Sequence, residues 1–377
     1  MSFYKNGDWV QVIVDDRLLV QGGSYRGKLW NDKRTAYSYY TSGQTFFAGV
    51  AAEEGAENPS EEIWVSIIEK AYAKLHGGYG NIQEGRTRYG VRDLTGASPY
   101  TVEAGITDED LRQRFQSAKD SGVRVMVGIA RNAAPVGGIL SAHAYSILKI
   151  IDRRDKGLPV LCLCRNPWGH EGEWQGPWSD GSSEWTDATR EITGYDDKNG
   201  EADGVFCIPF DECRRVFTEW DVSFLYPHSF FRIALQGEWA RGSAGGCGNT
   251  GEADLLSNPQ FLLEVPLPPR ADMACFGQLV LSQEDVRYTQ SNNSMNHIGF
   301  HIYHSPHDGG RVTVDNSYGL VTDWGAASYP NTRSATAILK HLPPGKYVVI
   351  PTTFHPNEFG PFFFSAWLNY AVTLKPL

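Results

Sequence analysis

Two kinds of apolar spacing run along the chain. Trp64, Ile67, Ile68, Ala71, Tyr72 and Leu75 recur every three or four residues, opened by Pro59-Ser60 and stopped by Gly77-Gly78. This spacing predicts a helix with that face buried. A second helix is expected from Thr107 to Gly122, with Asp110 in capping-box position and Leu111, Phe115 and Ala118 on its apolar face. Other apolar runs are short and separated by Gly, Pro and charged residues: WVQVIV (9–14), VRVMVGI (123–129), HAYSILKIID (143–152), PVLCLCR (159–165) and GVFCIPF (204–210). These read as strands. A polar, Trp-studded loop is expected over 166–203 and a short helix over 211–219, whereas residues 15–58 show little periodicity.

After Pro227 the pattern changes. β-prone runs recur at FFRIAL (230), QFLLEV (260), GQLVLS (277), GFHIYH (299), RVTV (311), TAILKH (336), KYVVIP (346), FFFSAW (362) and YAVTLK (370), with no helical spacing between them. A β-sandwich follows from that pattern. The front half is therefore α+β with an antiparallel sheet, the back half all-β, and the lack of a repeat of 20 to 50 residues argues against a solenoid or propeller.

The length of 377 residues suits two or three domains. With 41% hydrophobic and 21% charged residues the chain can build cores, which excludes a disordered class. A formal charge of −10 disfavours nucleic acid as a partner. No run approaches the ~18 apolar residues of a membrane span, and MSFYKNGDW lacks the features of a signal peptide, so a soluble, cytoplasmic protein is expected. The six cysteines, at 162, 164, 207, 213, 247 and 275, form no CxxC pair and suit reduced thiols rather than a disulfide framework or zinc site.

His143 begins one predicted strand, and Asn166 ends another just before Pro167-Trp168-Gly169. Adjacent antiparallel strands could join an imidazole to an amide, the pair that serves a cysteine nucleophile as base and orienter. Without context, a histidine at a strand start is ordinarily a packing or surface residue. Here AHAYSIL followed by RNPWGHEGEWQGPWSD resembles the second half of the calpain protease core. GDWVQVIVDDRL (7–18), EKAYAKLHGGYG (69–80) and DLTGA (93–97) resemble the later part of its first subdomain. GEWARGSAGGCGN (237–249), NPQFLLEV (258–265) and LPPGKYVVIPTTFHPNEFGPFFF (342–364) resemble the β-sandwich that follows that core. The resemblance implies that His143 is the general base, Asn166 its orienting partner and Trp168 the indole beside the substrate cleft.

The resemblance also marks departures. Calpains carry their nucleophile in a Gly-Asp-Cys-Trp helix upstream of the Gly-Asp-Trp-Val strand, and Met1 stands only a few residues before Gly7-Asp8-Trp9, so that segment is expected to be missing. None of the six cysteines has the electropositive, exposed setting of a reactive thiolate. Glu173, Asp180 and Asp203 fall at acidic positions of the family's second-subdomain calcium site, with Val205 where a further acid is expected and Gly80 where the first subdomain has a glutamate. Fewer carboxylates weaken calcium binding, and a solvated loop is the equal alternative for Glu173 and Asp180. Ala142 replaces the usual Gly before the histidine, the tryptophans at 174, 178 and 185 suit packing, and residues 196–200 read as a turn rather than an EF-hand loop.

The resulting expectation has three parts: a truncated first core subdomain (1–100), a His/Asn subdomain (101–227) and a C2-like β-sandwich (228–377). Joined to a nucleophile, it implies Cys-His-Asn endopeptidase chemistry on protein substrates; as printed it is expected to be inactive. The alternative is a non-catalytic pseudoenzyme that binds a protein partner or a membrane surface through the sandwich and the Trp-rich loop, with a partner covering the missing front of the core. A carbohydrate-binding sandwich is a remoter third reading.

Overall fold

The computed structural model describes residues 1–16, 64–82, 85–103, 123–130, 134–169, 172–197, 204–285, 295–306, 309–314, 318–324, 329 and 331–377. The helix expected over 107–122 and the candidate calcium ligand Asp203 lie outside the described residues. The chain forms two compact units, Met1–Lys5 with Trp9–Arg86, and Asn6–Asp8 with Thr87–Leu377.

At the start of the chain, β1 (Ser2–Lys5) pairs with β2 (Asp8–Gln11). Asn6 and Gly7, at φ 52° and 83°, make the turn, a dipeptide suited to the left-handed conformations a tight hairpin demands. The helix α1 (Trp64–Leu75) forms as its spacing predicts and is anchored by Ala71, Tyr72 and Leu75 against Phe3 and Val12. Trp64 departs from the expected buried face and is 56% exposed, while Ile67 and Ile68 are only half-buried. The strand expected over 9–14 stops at Gln11.

The second unit opens with α2 (Thr87–Thr95) and β3 (Ser98–Glu103), neither expected from apolar spacing. There follow β4 (Val123–Ala130), β5 (His143–Ile151), β6 (Leu161–Arg165), α3 (Asp187–Thr193), β7 (Val205–Pro209), α4 (Phe210–Val216) and β8 (Glu219–Leu225). Their strands build a six-stranded antiparallel sheet in the order β3-β8-β4-β5-β6-β7. Tyr145, Cys164, Phe206, Ile208, Phe217 and Trp220 fill its core.

The helix expected over 211–219 ends early because the Thr218 amide donates to Ile129 O and the chain then enters β8. The helix α3 interrupts the expected loop over 166–203. Its start is fixed by a capping box in which the Thr186 hydroxyl accepts from the Thr189 amide and Thr189 returns a bond to the Thr186 amide.

The remaining strands are β9 (Phe231–Trp239), β10 (Phe261–Val265), β11 (Cys275–Gln283), β12 (Ile298–His304), β13 (Tyr318–Trp324), β14 (Ser334–Leu342), β15 (Gly345–Thr353), β16 (Gly360–Leu368) and β17 (Thr373–Pro376). They form sheets of order β13-β12-β15-β10-β17 and β14-β11-β16-β9, which share a core of Trp239, Phe261, Leu263, Phe300, Phe362 and Phe364. This is the expected sandwich, with two corrections. A short helix, α5 (Glu252–Ser257), lies between β9 and β10. Residues 311–314 are not a strand: Val312 is buried with its amide and carbonyl bonded to the Gln260 side chain, and β13 pairs with β12 instead.

The α2 helix links the six-stranded sheet to the sandwich by buried polar contacts. On one side Arg88 pairs with Asp221 and Glu219 of β8. On the other, Arg333, the residue before β14, donates to Asp93 (2.7 and 3.0 Å), Asp285 (3.1 Å) and the Tyr89 carbonyl (3.1 Å). The Tyr89 hydroxyl accepts from the Arg333 amide at 2.8 Å, and Arg92 donates to the Ser282 hydroxyl at 2.9 Å.

Candidate functional site

The pairing of β5 with β6 brings the start of one strand beside the end of the other. His143 Nε2 lies 2.7 Å from Asn166 Oδ1. That oxygen also accepts the Trp168 amide at 3.1 Å, which identifies it as the acceptor and makes Nε2 the donor. In the neutral ring this bond keeps the proton on Nε2 and leaves the lone pair on Nδ1, which bonds to no described residue. Asn166 is fully buried, and its backbone N–H donates to Gly204 O at 2.7 Å, so the residue that carries the orienting group is held at its backbone as well.

Two aromatic rings frame His143. The Trp168 indole lies 4.3 Å from the imidazole centroid and is 60% exposed, so it faces solvent over the ring rather than packing in the core. Tyr145 meets the imidazole edge-on at 5.0 Å. Its hydroxyl accepts the Leu140 amide at 2.8 Å and donates to Gly172 O at 2.9 Å, tying together the loops that flank the two strands. The Gln175 amide adds a bond to Gly137 O at 2.8 Å between the same loops. Spacing gives no sign of the Tyr145–Gly172 or Asn166–Gly204 contacts, because Gly172 and Gly204 lie far along the chain from their partners.

The cysteines are poorly placed for nucleophilic work. Cys162, Cys164, Cys207, Cys213 and Cys275 are buried. Burial raises the thiol pKa of Cys164, Cys207 and Cys213, and pushes Cys275 up to about 11. Cys247 is half-buried and donates to Phe354 O at 3.2 Å. A thiol that must lose its proton to react is disfavoured in such surroundings.

Glu173 and Asp180 are half-buried and engaged by the protein, unlike residues of a solvated loop. Glu173 Oε1 accepts the Gly204 amide at 2.7 Å, and Asp180 Oδ1 accepts the Tyr195 hydroxyl at 2.8 Å. Among the described residues no three Asp, Glu, His or Cys side chains converge on a point that could hold a metal ion. Trp174, Trp178 and Trp185 are buried, with Trp178 and Trp185 edge-to-face at 4.8 Å. Asp197, within the expected turn, accepts the Gly181 amide at 3.1 Å and pairs with Arg190.

Comparison with known proteins gives the class first: a cysteine protease core followed by a β-sandwich. The sequence model described as calpain family cysteine protease matches residues 1–223, and that of calpain large subunit, domain III matches residues 235–367. The chain belongs to the calpain family. Calpain-B of Drosophila melanogaster is 32% identical over 397 residues, covering 96% of this chain and 39% of that protein. Calpain-8 of Mus musculus is 30% identical, covering 96% and 51%, and the calpain-type cysteine protease DEK1 of Arabidopsis thaliana is 28% identical, covering 100% and 17%. The chain thus spans about half or less of the length of these relatives. No helix among the described residues is long and apolar enough to cross a membrane.

Proposed function

We propose that this chain supplies the base-and-orienter half of a calpain-type cysteine endopeptidase. The observation that carries this reading is the His143–Asn166 pair, whose 2.7 Å bond leaves Nδ1 as the proton acceptor. In the full reaction Nδ1 takes the proton of a cysteine thiol, the thiolate attacks the scissile carbonyl, and the imidazolium returns the proton to the leaving amine. Water then resolves the acyl-enzyme with His143 as base again. Asn166 holds the tautomer throughout, and Trp168 shields the imidazole beside the substrate.

The thiolate is not one of the six cysteines of this sequence, five of which are buried. It must come from another segment, and this polypeptide alone cleaves no peptide bond. Burial of five of the six thiols also supports a second reading, in which the framework binds a protein partner or membrane surface without catalysis. Calcium at the acidic positions Glu173, Asp180 and Asp203 is what the family relationship suggests; it is the competing reading for Glu173, whose carboxylate is bonded to the Gly204 amide, and no step is assigned to it.

The test is hydrolysis of a fluorogenic peptide by the chain alone and by the chain fused behind the cysteine-bearing segment that precedes the matched region in a relative. No turnover by the chain, turnover by the fusion and its loss in His143→Ala are expected. Turnover that survives His143→Ala overturns the assignment, and a folded fusion with no turnover leaves the non-catalytic reading in its place.

A further inference from the structure

Three hydrogen bonds run in series from Glu173 to the imidazole. Glu173 Oε1 accepts the Gly204 amide at 2.7 Å, Gly204 O accepts the Asn166 amide at 2.7 Å, and Asn166 Oδ1 accepts His143 Nε2 at 2.7 Å. The intermediate residue has little freedom. Gly204 stands at φ 84°, and a Cβ there would lie 2.8 Å from Asn166 O and 2.9 Å from Gly169 Cα. Only glycine can pass so close to the turn that presents the orienting amide.

The next residue, Val205, enters the sheet opposite Arg165, immediately before Asn166 on β6. One flank of the Gly204 peptide is thus fixed by the strand ladder and the other by the carboxylate. A carboxylate accepting a backbone amide is among the stronger hydrogen bonds a protein makes, and here it acts where the family resemblance led to the expectation of a metal ligand. A cation drawing on the same oxygen would compete with the Gly204 amide.

We propose that Glu173 is a positioning residue that fixes the Asn166 backbone and so the placement of its side-chain amide, and through it the tautomer and orientation of His143, without a metal ion. The relevance to catalysis rests on the reading of His143 as the base, so the test reads the imidazole itself.

The full chain is labelled with ¹⁵N-histidine, and the hydrogen-bonded Nε2 proton of His143 is assigned by its loss in His143→Gln. With calcium chelated by EGTA, the resonance is expected to be sharp in the unaltered chain and in Glu173→Gln, whose amide oxygen still accepts from Gly204. In Glu173→Ala its exchange with water should be at least tenfold faster. Millimolar calcium should not sharpen the signal. Should Glu173→Ala not fold, Glu173→Asp, which keeps the charge but is too short to reach Gly204, gives the same comparison.

An unchanged signal in Glu173→Ala or Glu173→Asp overturns the proposal. So does a signal in the unaltered chain that appears only with calcium, or a loss in Glu173→Gln as complete as in Glu173→Ala. Failure of the base assignment has a separate signature: the imidazole signal still depends on Glu173, while hydrolysis by the fusion survives His143→Ala.

Discussion

Ala142 sits at φ 52°, a left-handed conformation that costs a residue bearing a Cβ, directly before His143. Ala142→Gly should raise stability by about 0.5–1 kcal/mol, the relief of strain exceeding the added freedom of the unfolded chain. Urea unfolding midpoints check this; an unchanged or lower midpoint would show that the strain is absorbed elsewhere. Among the thiols, half-buried Cys247 should react first with a charged thiol reagent, and the five buried ones only on unfolding. Mass mapping after brief labelling reads this directly. His143, Asn166 and Trp168 were legible at this scale because two short runs, AHAYSIL and RNPWG, carry them. The supporting contacts of Tyr145 and Gly204 were not, since hydrogen bonds between remote loops leave no periodic trace.

The same limit governs whole elements. The helix α2 buries Tyr89, Arg92 and Asp93, so its inward face is polar and invisible to a search for apolar spacing. Arg333→Ala should cost about 3–5 kcal/mol, because it leaves the buried carboxylates of Asp93 and Asp285 without their shared partner. Loss of that magnitude in denaturant unfolding is the check; a change within 0.5 kcal/mol, about that of an ordinary surface site, would mean another group compensates.

The helix α3 responds to acid. Burial acts to raise the Asp197 pKa, but the Arg190 bond and the Gly181 amide outweigh it and hold the carboxyl below its usual value. Because the folded pKa is depressed, the contribution is fully present above the unfolded value of about 3.9 and disappears as pH falls through the folded one. Fluorescence of the Trp178–Trp185 pair should therefore report an acid transition that is flattened in Asp197→Asn.

On the scale of the whole molecule, the α+β core and the sandwich were legible because alternating apolar runs survive averaging over many strands. The strand order was not, because pairing partners are set by packing across long sequence separations. Since α2 bonds to β8 on one side and to β14 on the other, the six-stranded sheet and the sandwich should melt together in calorimetry. Arg333→Ala should divide that single endotherm into two; two endotherms in the unaltered chain would show that α2 does not couple them.

The sheet order carries a consequence for synthesis on the ribosome. The His143-bearing β5 and β6, which ends before Asn166, are neighbours in both sequence and space, whereas β3 and β4 each pair with β8, and Ser98 meets Phe224. A nascent chain can thus bring the imidazole and amide together while the strands that enclose them still lack their common neighbour. Until residues 219–225 leave the exit tunnel, β4 lacks the strand that closes its edge. Between the translation of Asn166 and Leu225 both β3 and β4 wait for their shared partner, and slow codons there would prolong that wait.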